Sequence, residues 1–159
     1  MDPFASPHNL DRELHSLLAQ ASSNLCDWFS ESGVQGPMPD SFDLPEIYPA
    51  KEGVSNNVLL SELKLLMNGS YRPSHPGSLA HLDPPPLSAS IVGELICAGL
   101  NNNLLAEELS PSLSSLERNL CKWFCKRLGF GDLSGGVAAS GGSLSNLMAL
   151  VMARNIAGL

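Results

Sequence analysis

The sequence predicts a mostly α-helical protein whose C-terminal half opens an α/β domain. Apolar residues recur at helical spacing in five separate segments, most of which follow a Ser, Asn or Pro that favours a helix start. One short apolar stretch, residues 136–139, favours a strand instead. Because a single strand cannot complete its backbone hydrogen bonds, we expect its partner strands to lie outside this sequence.

Two amphipathic helices are predicted in the first half of the chain. The first has Asn9 as its N-cap and ends at Gly33. The second is capped by Ser55 or Asn56 and ends at Gly69. Leucines at helical spacing give each helix one apolar face.

Two proline-rich loops separate the predicted helices. Residues 33–53 and 71–86 carry prolines that forbid regular structure, and three consecutive prolines end the second loop. We therefore divide the chain into a helical segment with proline-rich loops, residues 1–86, and a second domain that opens at residue 87 and continues to residue 159.

Three further helices are predicted after the second loop. Residues 87–100 are small and apolar on both faces, which predicts burial on more than one side. The next helix is capped by Ser110, has Pro111 at its first position and ends at Gly129. The last runs from Ser143 to about residue 157.

The turn between the predicted strand and the last helix, residues 140–143, is the clearest candidate site. It reads Ser-Gly-Gly-Ser, so a strand would turn on two glycines into a helix. Such a turn leaves backbone N–H groups unpaired at the positive end of a helix dipole. This geometry suits a phosphate group.

Composition narrows the classes of partner. The formal charge is −7 without a basic run, which argues against a nucleic-acid partner. No uninterrupted apolar stretch is long enough for a membrane span, and the N-terminus lacks the pattern of a secretory signal. Only 16% of the residues are charged, which is typical of a chain that buries extra surface against a partner.

The four cysteines, Cys26, Cys97, Cys121 and Cys125, all lie in predicted helices. Cys121 and Cys125 share a helix face, but neither His nor a further Cys flanks them as a zinc site requires. We expect no metal site. Buried, reduced thiols in a cytoplasmic protein are the favoured interpretation.

Residues 71–159 resemble the early part of the pyridoxal-phosphate-dependent group II amino-acid decarboxylases, which include glutamate, aromatic-amino-acid and 2,4-diaminobutyrate decarboxylases. Several short motifs in one order carry the resemblance. They are His75-Pro76, His81-Leu82, Asn101-Asn102-Asn103, Glu108-Leu109-Ser110-Pro111, Leu116-Glu117, Trp123 with Leu128-Gly129, Gly136-Val137 through Ser140-Gly141-Gly142-Ser143 to Ser145-Asn146-Leu147, and Ala153-Arg154.

The resemblance implies a fold-type-I enzyme that uses pyridoxal 5'-phosphate and acts as a homodimer on a small amino acid. The helical segment would wrap around the partner subunit, and the second domain would be the first part of the large cofactor-binding domain. The implied cofactor-binding residues are Gly141, Gly142, Ser143 and Asn146, and the implied substrate-side residues are His81, Leu82, Asp83 and Asn103.

The residues that perform the chemistry in this family are missing from the sequence. The resemblance implies a Schiff-base lysine in a Ser-x-His-Lys setting, an aspartate at the pyridine nitrogen and a stacked histidine. None of Lys51, Lys64, Lys122 and Lys126 has that setting. We therefore expect an N-terminal fragment of a carboxy-lyase that is inactive by itself.

Two alternatives remain open from the sequence. A non-catalytic dimerisation or regulatory module derived from this family would also explain the low charge and the apolar helix faces. Another fold-type-I enzyme, such as an aminotransferase, would share the glycine turn. The amino-acid substrate is not fixed, because Ser78, Leu79 and His81 depart from the residues usual in glutamate-specific or aromatic-specific enzymes.

Overall fold

The computed structural model describes residues 4–39, 48, 51–79 and 82–158. The chain divides into two compact units, Met1–Leu87 and Ser88–Leu159, and each is described by itself. Five α-helices are present in the described residues. They are α1 Arg12–Ser30, α2 Asn56–Asn68, α3 Ser88–Leu100, α4 Pro111–Arg127 and α5 Gly142–Ala157, and 3-10 turns lie at Glu31–Gly33 and Glu107–Leu109.

Most helix boundaries agree with the sequence pattern. Ser55 is the N-cap of α2, because its Oγ accepts a hydrogen bond from the Val58 N–H at 3.4 Å. Pro111 is the first residue of α4. Gly129, with φ at +78°, follows the end of that helix in the left-handed region that favours glycine.

The predicted cap of α1 is wrong by two residues. Asp11, not Asn9, is the N-cap, and its Oδ1 accepts from the Leu14 N–H at 2.9 Å. This backbone hydrogen bond is the main reason that the pKa of Asp11 lies below its ordinary value. The Asn9 N–H instead lies near Ser6 Oγ, in the turn that precedes the helix.

The predicted strand is absent from the described residues, which contain no β-structure. Residues 136–139 form no regular element. No described segment lies beside them to complete a ladder, as a strand requires. The Ala138 N–H instead donates to the Glu117 carboxylate on α4 at 2.9 Å. The helical part of the predicted architecture is confirmed, and the α/β part stays a prediction.

The predicted burial of α3 on more than one side is also wrong for this structure. Val92, Leu95 and Ile96 keep about half of their surface or more exposed to solvent. Burial needs a partner surface, and no described helix of the second unit packs against α3. The predicted burial of the cysteines is also wrong: Cys26 and Cys97 are exposed, and the two cysteines of α4 are half-buried.

In the first unit, α1 and α2 pack against each other around Leu60. Among the described residues, Leu60 is the one buried apolar side chain. No described helix is both long and apolar enough to cross a membrane.

Arg72 closes the C-terminal end of α1. Its side chain is 3% exposed and donates to the Trp28 carbonyl at 2.8 Å and to Gln35 Oε1 at 2.9 Å. The guanidinium also lies 4.9 Å from the centre of the Trp28 ring. A cation suits this position, because the last carbonyls of a helix carry partial negative charge. Arg72 thus ties the loop after α2 to the end of α1.

We predict that Arg72→Ala lowers the free energy of unfolding by about 2–3 kcal/mol, because it removes these hydrogen bonds and the ring contact. Urea unfolding followed by circular dichroism measures the change. The control is Arg118→Ala, which removes an exposed arginine and should change stability little. Equal effects of the two substitutions would contradict the role given to Arg72.

Candidate cofactor site

The start of α5 presents unpaired hydrogen-bond donors. Gly141 is the N-cap, and its carbonyl accepts the first helical hydrogen bond from the Ser145 N–H at 3.0 Å. Geometry leaves the N–H groups of Gly142, Ser143 and Leu144 without helical acceptors. No side chain of the described residues accepts from them, and the N-cap glycine has none to offer.

The space in front of this turn is open. A Cβ atom added to Gly141 or to Gly142 would meet nothing within 4 Å. Three backbone donors and the partial positive charge of the helix start therefore face a space that an anionic group can enter. These residues fit the phosphate of the implied cofactor.

Two polar side chains lie on the same face of this helix start. Ser143 and Asn146 are three residues apart and both are exposed. Neither side chain makes a hydrogen bond within the described part of the chain, so the hydroxyl and the amide are both available to a ligand. The structure thus brings together all four predicted cofactor-binding residues, since Gly141 and Gly142 complete the turn.

The chain approaches the turn along one face of α4. Ala138 is held by Glu117, as described above, and Cys125 Sγ lies 3.6 Å from the Gly135 carbonyl oxygen. Cys121 lies between them, 3.6 Å from the position that a Cβ on Gly136 would take. The sequence pattern predicted no role for Glu117, because its partner Ala138 lies 21 residues away in sequence.

The predicted substrate-side residues that the structure describes are divided between the two units. His81 lies outside the described residues. Leu82 and Asp83 are exposed and belong to the first unit, with Leu82 97% exposed. Asn103 belongs to the second unit, on the loop after α3, where its Oδ1 accepts from the Leu105 N–H at 3.0 Å.

The loop that precedes the substrate-side residues is shaped by a histidine. His75 Nδ1 accepts from the Gly77 N–H at 2.8 Å. A Cβ on Gly77 would lie 3.0 Å from that nitrogen, so a larger residue at this position would crowd the imidazole. The Tyr71 hydroxyl and Ser78 Oγ are also hydrogen-bonded to each other. These contacts give His75 a structural role in the loop.

An exposed ion pair joins the turn Glu107–Leu109 to α4. Arg118 donates to both carboxylate oxygens of Glu107, at 2.6 and 3.1 Å. This side-chain hydrogen bond, aided by the opposite charge, holds the pKa of Glu107 below its ordinary value and raises that of Arg118. The Glu107 carboxylate is therefore paired with Arg118, in the turn just before α4 begins.

No family model matches the chain, but similar proteins are known. The chain is 35% identical over 108 residues to an L-2,4-diaminobutyrate decarboxylase from Acinetobacter baumannii, a match that covers 67% of this chain and 21% of that protein. It is 31% identical over 110 residues to a glutamate decarboxylase-like protein from Gibberella zeae, covering 69% of this chain and 21% of the relative.

A third relative is an L-aspartate decarboxylase from Metarhizium robertsii, 29% identical over 108 residues that make up 67% of this chain and 22% of the relative. These matches confirm the predicted resemblance to the group II amino-acid decarboxylases. The chain spans about a fifth of the length of these curated relatives.

The ion pair between Glu107 and Arg118 predicts how the stability of the protein depends on pH. The folded pKa of Glu107 is lower than the unfolded one, so the pair contributes stability above the unfolded pKa, and this is lost as pH falls through the folded pKa. Glu107→Gln should therefore narrow the difference in stability between neutral and acidic pH. Thermal melting against pH measures this, and adding Arg118→Ala to the Glu107→Gln variant should not change its pH profile further, because the pair is already broken.

Proposed function

We propose that this chain is part of a pyridoxal-phosphate-dependent L-amino-acid decarboxylase, a carboxy-lyase, and that the turn at residues 140–143 holds the cofactor phosphate. The observation that carries the proposal is the start of α5, where three backbone N–H groups without acceptors face open space. The matched relatives, which are named for decarboxylation of amino acids, support this reaction over transamination.

Each residue of the turn has a proposed part. The N–H groups of Gly142 and Ser143 donate to phosphate oxygens, and the Ser143 hydroxyl adds a further donor. Gly141 lets the backbone approach closely because it has no side chain in the way. Asn146, one helical turn further on, donates from its amide to the same group. When bound, the cofactor supplies an electron sink for the loss of carbon dioxide.

The substrate side is proposed on the resemblance. His81, Leu82, Asp83 and Asn103 would contact the side chain of the amino acid. Leu82 and Asp83 are exposed in the first unit and so remain accessible to a ligand. The amide nitrogen of Asn103 can donate to a substrate while its oxygen is engaged by Leu105.

We further propose that the chain does not decarboxylate by itself. Covalent catalysis on the cofactor needs a lysine beside it. Lys51 and Lys64 belong to the first unit, and Lys122 and Lys126 lie on α4. None of these four lysines follows a Ser-x-His sequence. The residues described here would then bind and orient the phosphate, and other residues would carry the reaction.

A second copy of the chain is the proposed partner. An apolar groove between α1 and α2 is lined in part by Leu25, Leu63, Leu66 and Met67. Leu63 and Leu66 are about two-fifths exposed, so the groove is open to a matching surface. The low charged fraction of the chain also favours burial against another protein surface.

Titration of the full chain with pyridoxal 5'-phosphate tests the cofactor site. We expect the amide resonances of Gly142, Ser143 and Leu144 to shift together in NMR spectra, because their N–H groups bind the phosphate. Ser143→Ala should weaken binding about three- to tenfold, the range for loss of one hydrogen bond. Ser112→Ala, at the second position of α4, is the matched control. Amide resonances that do not respond to the cofactor would refute the site.

Sedimentation of the full chain tests the proposed self-association. We expect a dimer, and we expect Leu66→Asp to shift it to monomer by placing a charge in the apolar groove. Leu65→Asp is the matched control, since Leu65 lies on the same helix, outside the groove, with similar exposure. A wild-type monomer, or equal effects of the two substitutions, would exclude this groove as the interface.

A further inference from the structure

We propose that Glu117 is a positioning residue for the phosphate turn, because its carboxylate holds the backbone that leads into residues 140–143. This inference rests on the cofactor site proposed above and adds to it a residue that does not touch the cofactor. Glu117 Oε1 accepts from the Ala138 N–H at 2.9 Å, across 21 residues of sequence. The bond therefore fixes a loop to a helix, not a helix to itself.

The neighbouring contacts fix the direction of the approach. Glu117, Cys121 and Cys125 follow each other at intervals of four residues and lie on one face of α4. Along this face Cys125 contacts Gly135, Cys121 lies beside Gly136, and Glu117 accepts a hydrogen bond from Ala138. From Cys125 back to Glu117 the helix rises about 12 Å, and three residues of fully extended chain cover about 10 Å. Residues 135–138 thus run nearly extended and antiparallel to α4.

Glu117 makes the strongest of these contacts. A carboxylate is a better acceptor for a backbone N–H than a neutral oxygen, whereas a thiol is a weak donor and its contact here is 3.6 Å long. Ala138 is three residues before Gly141, so a displacement of its backbone passes directly to the turn. Without Glu117, the Ala138 N–H would have no acceptor within the described residues, and the backbone that leads into residues 140–143 would lose its hydrogen bond to α4.

Four variants of the full chain separate the hydrogen bond from charge and from general stability. Glu117→Ala removes the acceptor, Glu117→Asp keeps the charge but is one methylene too short, and Glu117→Gln keeps an oxygen at the right reach. Glu94→Ala on α3 is the control for loss of an exposed helical glutamate. Circular dichroism checks that all four variants retain the wild-type helix content.

The first readout needs no ligand. Amide hydrogen exchange at Ala138 should speed up in the Ala and Asp variants and stay slow in wild type, in the Gln variant and in the control. The amide resonances of Gly141, Gly142 and Ser143 should move in the same two variants alone. If these resonances stay in place when Glu117 is replaced by Ala, or if Gln fails to rescue them, the positioning role is overturned.

The second readout is binding of inorganic phosphate, followed at Ser143. We expect the Ala and Asp variants to bind about three- to tenfold more weakly than wild type, and the Gln variant and the control to bind as wild type does. Phosphate binding unchanged by Glu117→Ala overturns the positioning role and leaves the cofactor site intact. If the wild-type chain does not bind phosphate, the proposed cofactor site is refuted instead. The hydrogen-exchange and resonance measurements without ligand then still decide whether Glu117 positions the turn.

Discussion

The first turn of every helix carries N–H groups that need acceptors from outside the helix, and this constraint organises the candidate site. In α1 and α2 the side chains of Asp11 and Ser55 supply an acceptor. In α4 one donor is removed, because Pro111 has no N–H. In α5 the N-cap is Gly141, which has no side chain that could accept a hydrogen bond, and the first residue of the helix is not a proline. The donors at the start of α5 are therefore left to water or to a ligand.

The described residues bury little apolar surface, and polar contacts join several of their segments instead. Leu60 is the one buried apolar side chain in the described ranges. Arg72 joins the loop after α2 to the end of α1, and Glu117 joins the approach to the turn to α4. Exposed apolar faces and a low charged fraction are both typical of surfaces that pack against another protein, which the proposed self-association would supply.

The sequence predicted those features that depend on neighbouring residues. The limits of α2 and the start of α4 were predictable because caps, proline and glycine act within a few residues. The cap of α1 was misplaced because Asn9 and Asp11 are both good caps, and only geometry decides between them. The glycine turn was predictable as a motif. The roles of Arg72 and Glu117 were not, because their partners lie 44 and 21 residues away in sequence. The exposure of α3 was missed because a helical pattern shows which face is apolar but not what covers it.

The start of α5, which has no side-chain cap, belongs to a chain whose formal charge is −7. A phosphate dianion is therefore repelled by the molecule as a whole and attracted only over the last few ångströms, where the backbone donors act. Salt screens the long-range repulsion beyond about 10 Å at roughly 0.1 M and leaves contacts of hydrogen-bond length nearly intact. Association at this site should consequently become faster as ionic strength rises, the reverse of the behaviour of phosphate sites built from lysine and arginine.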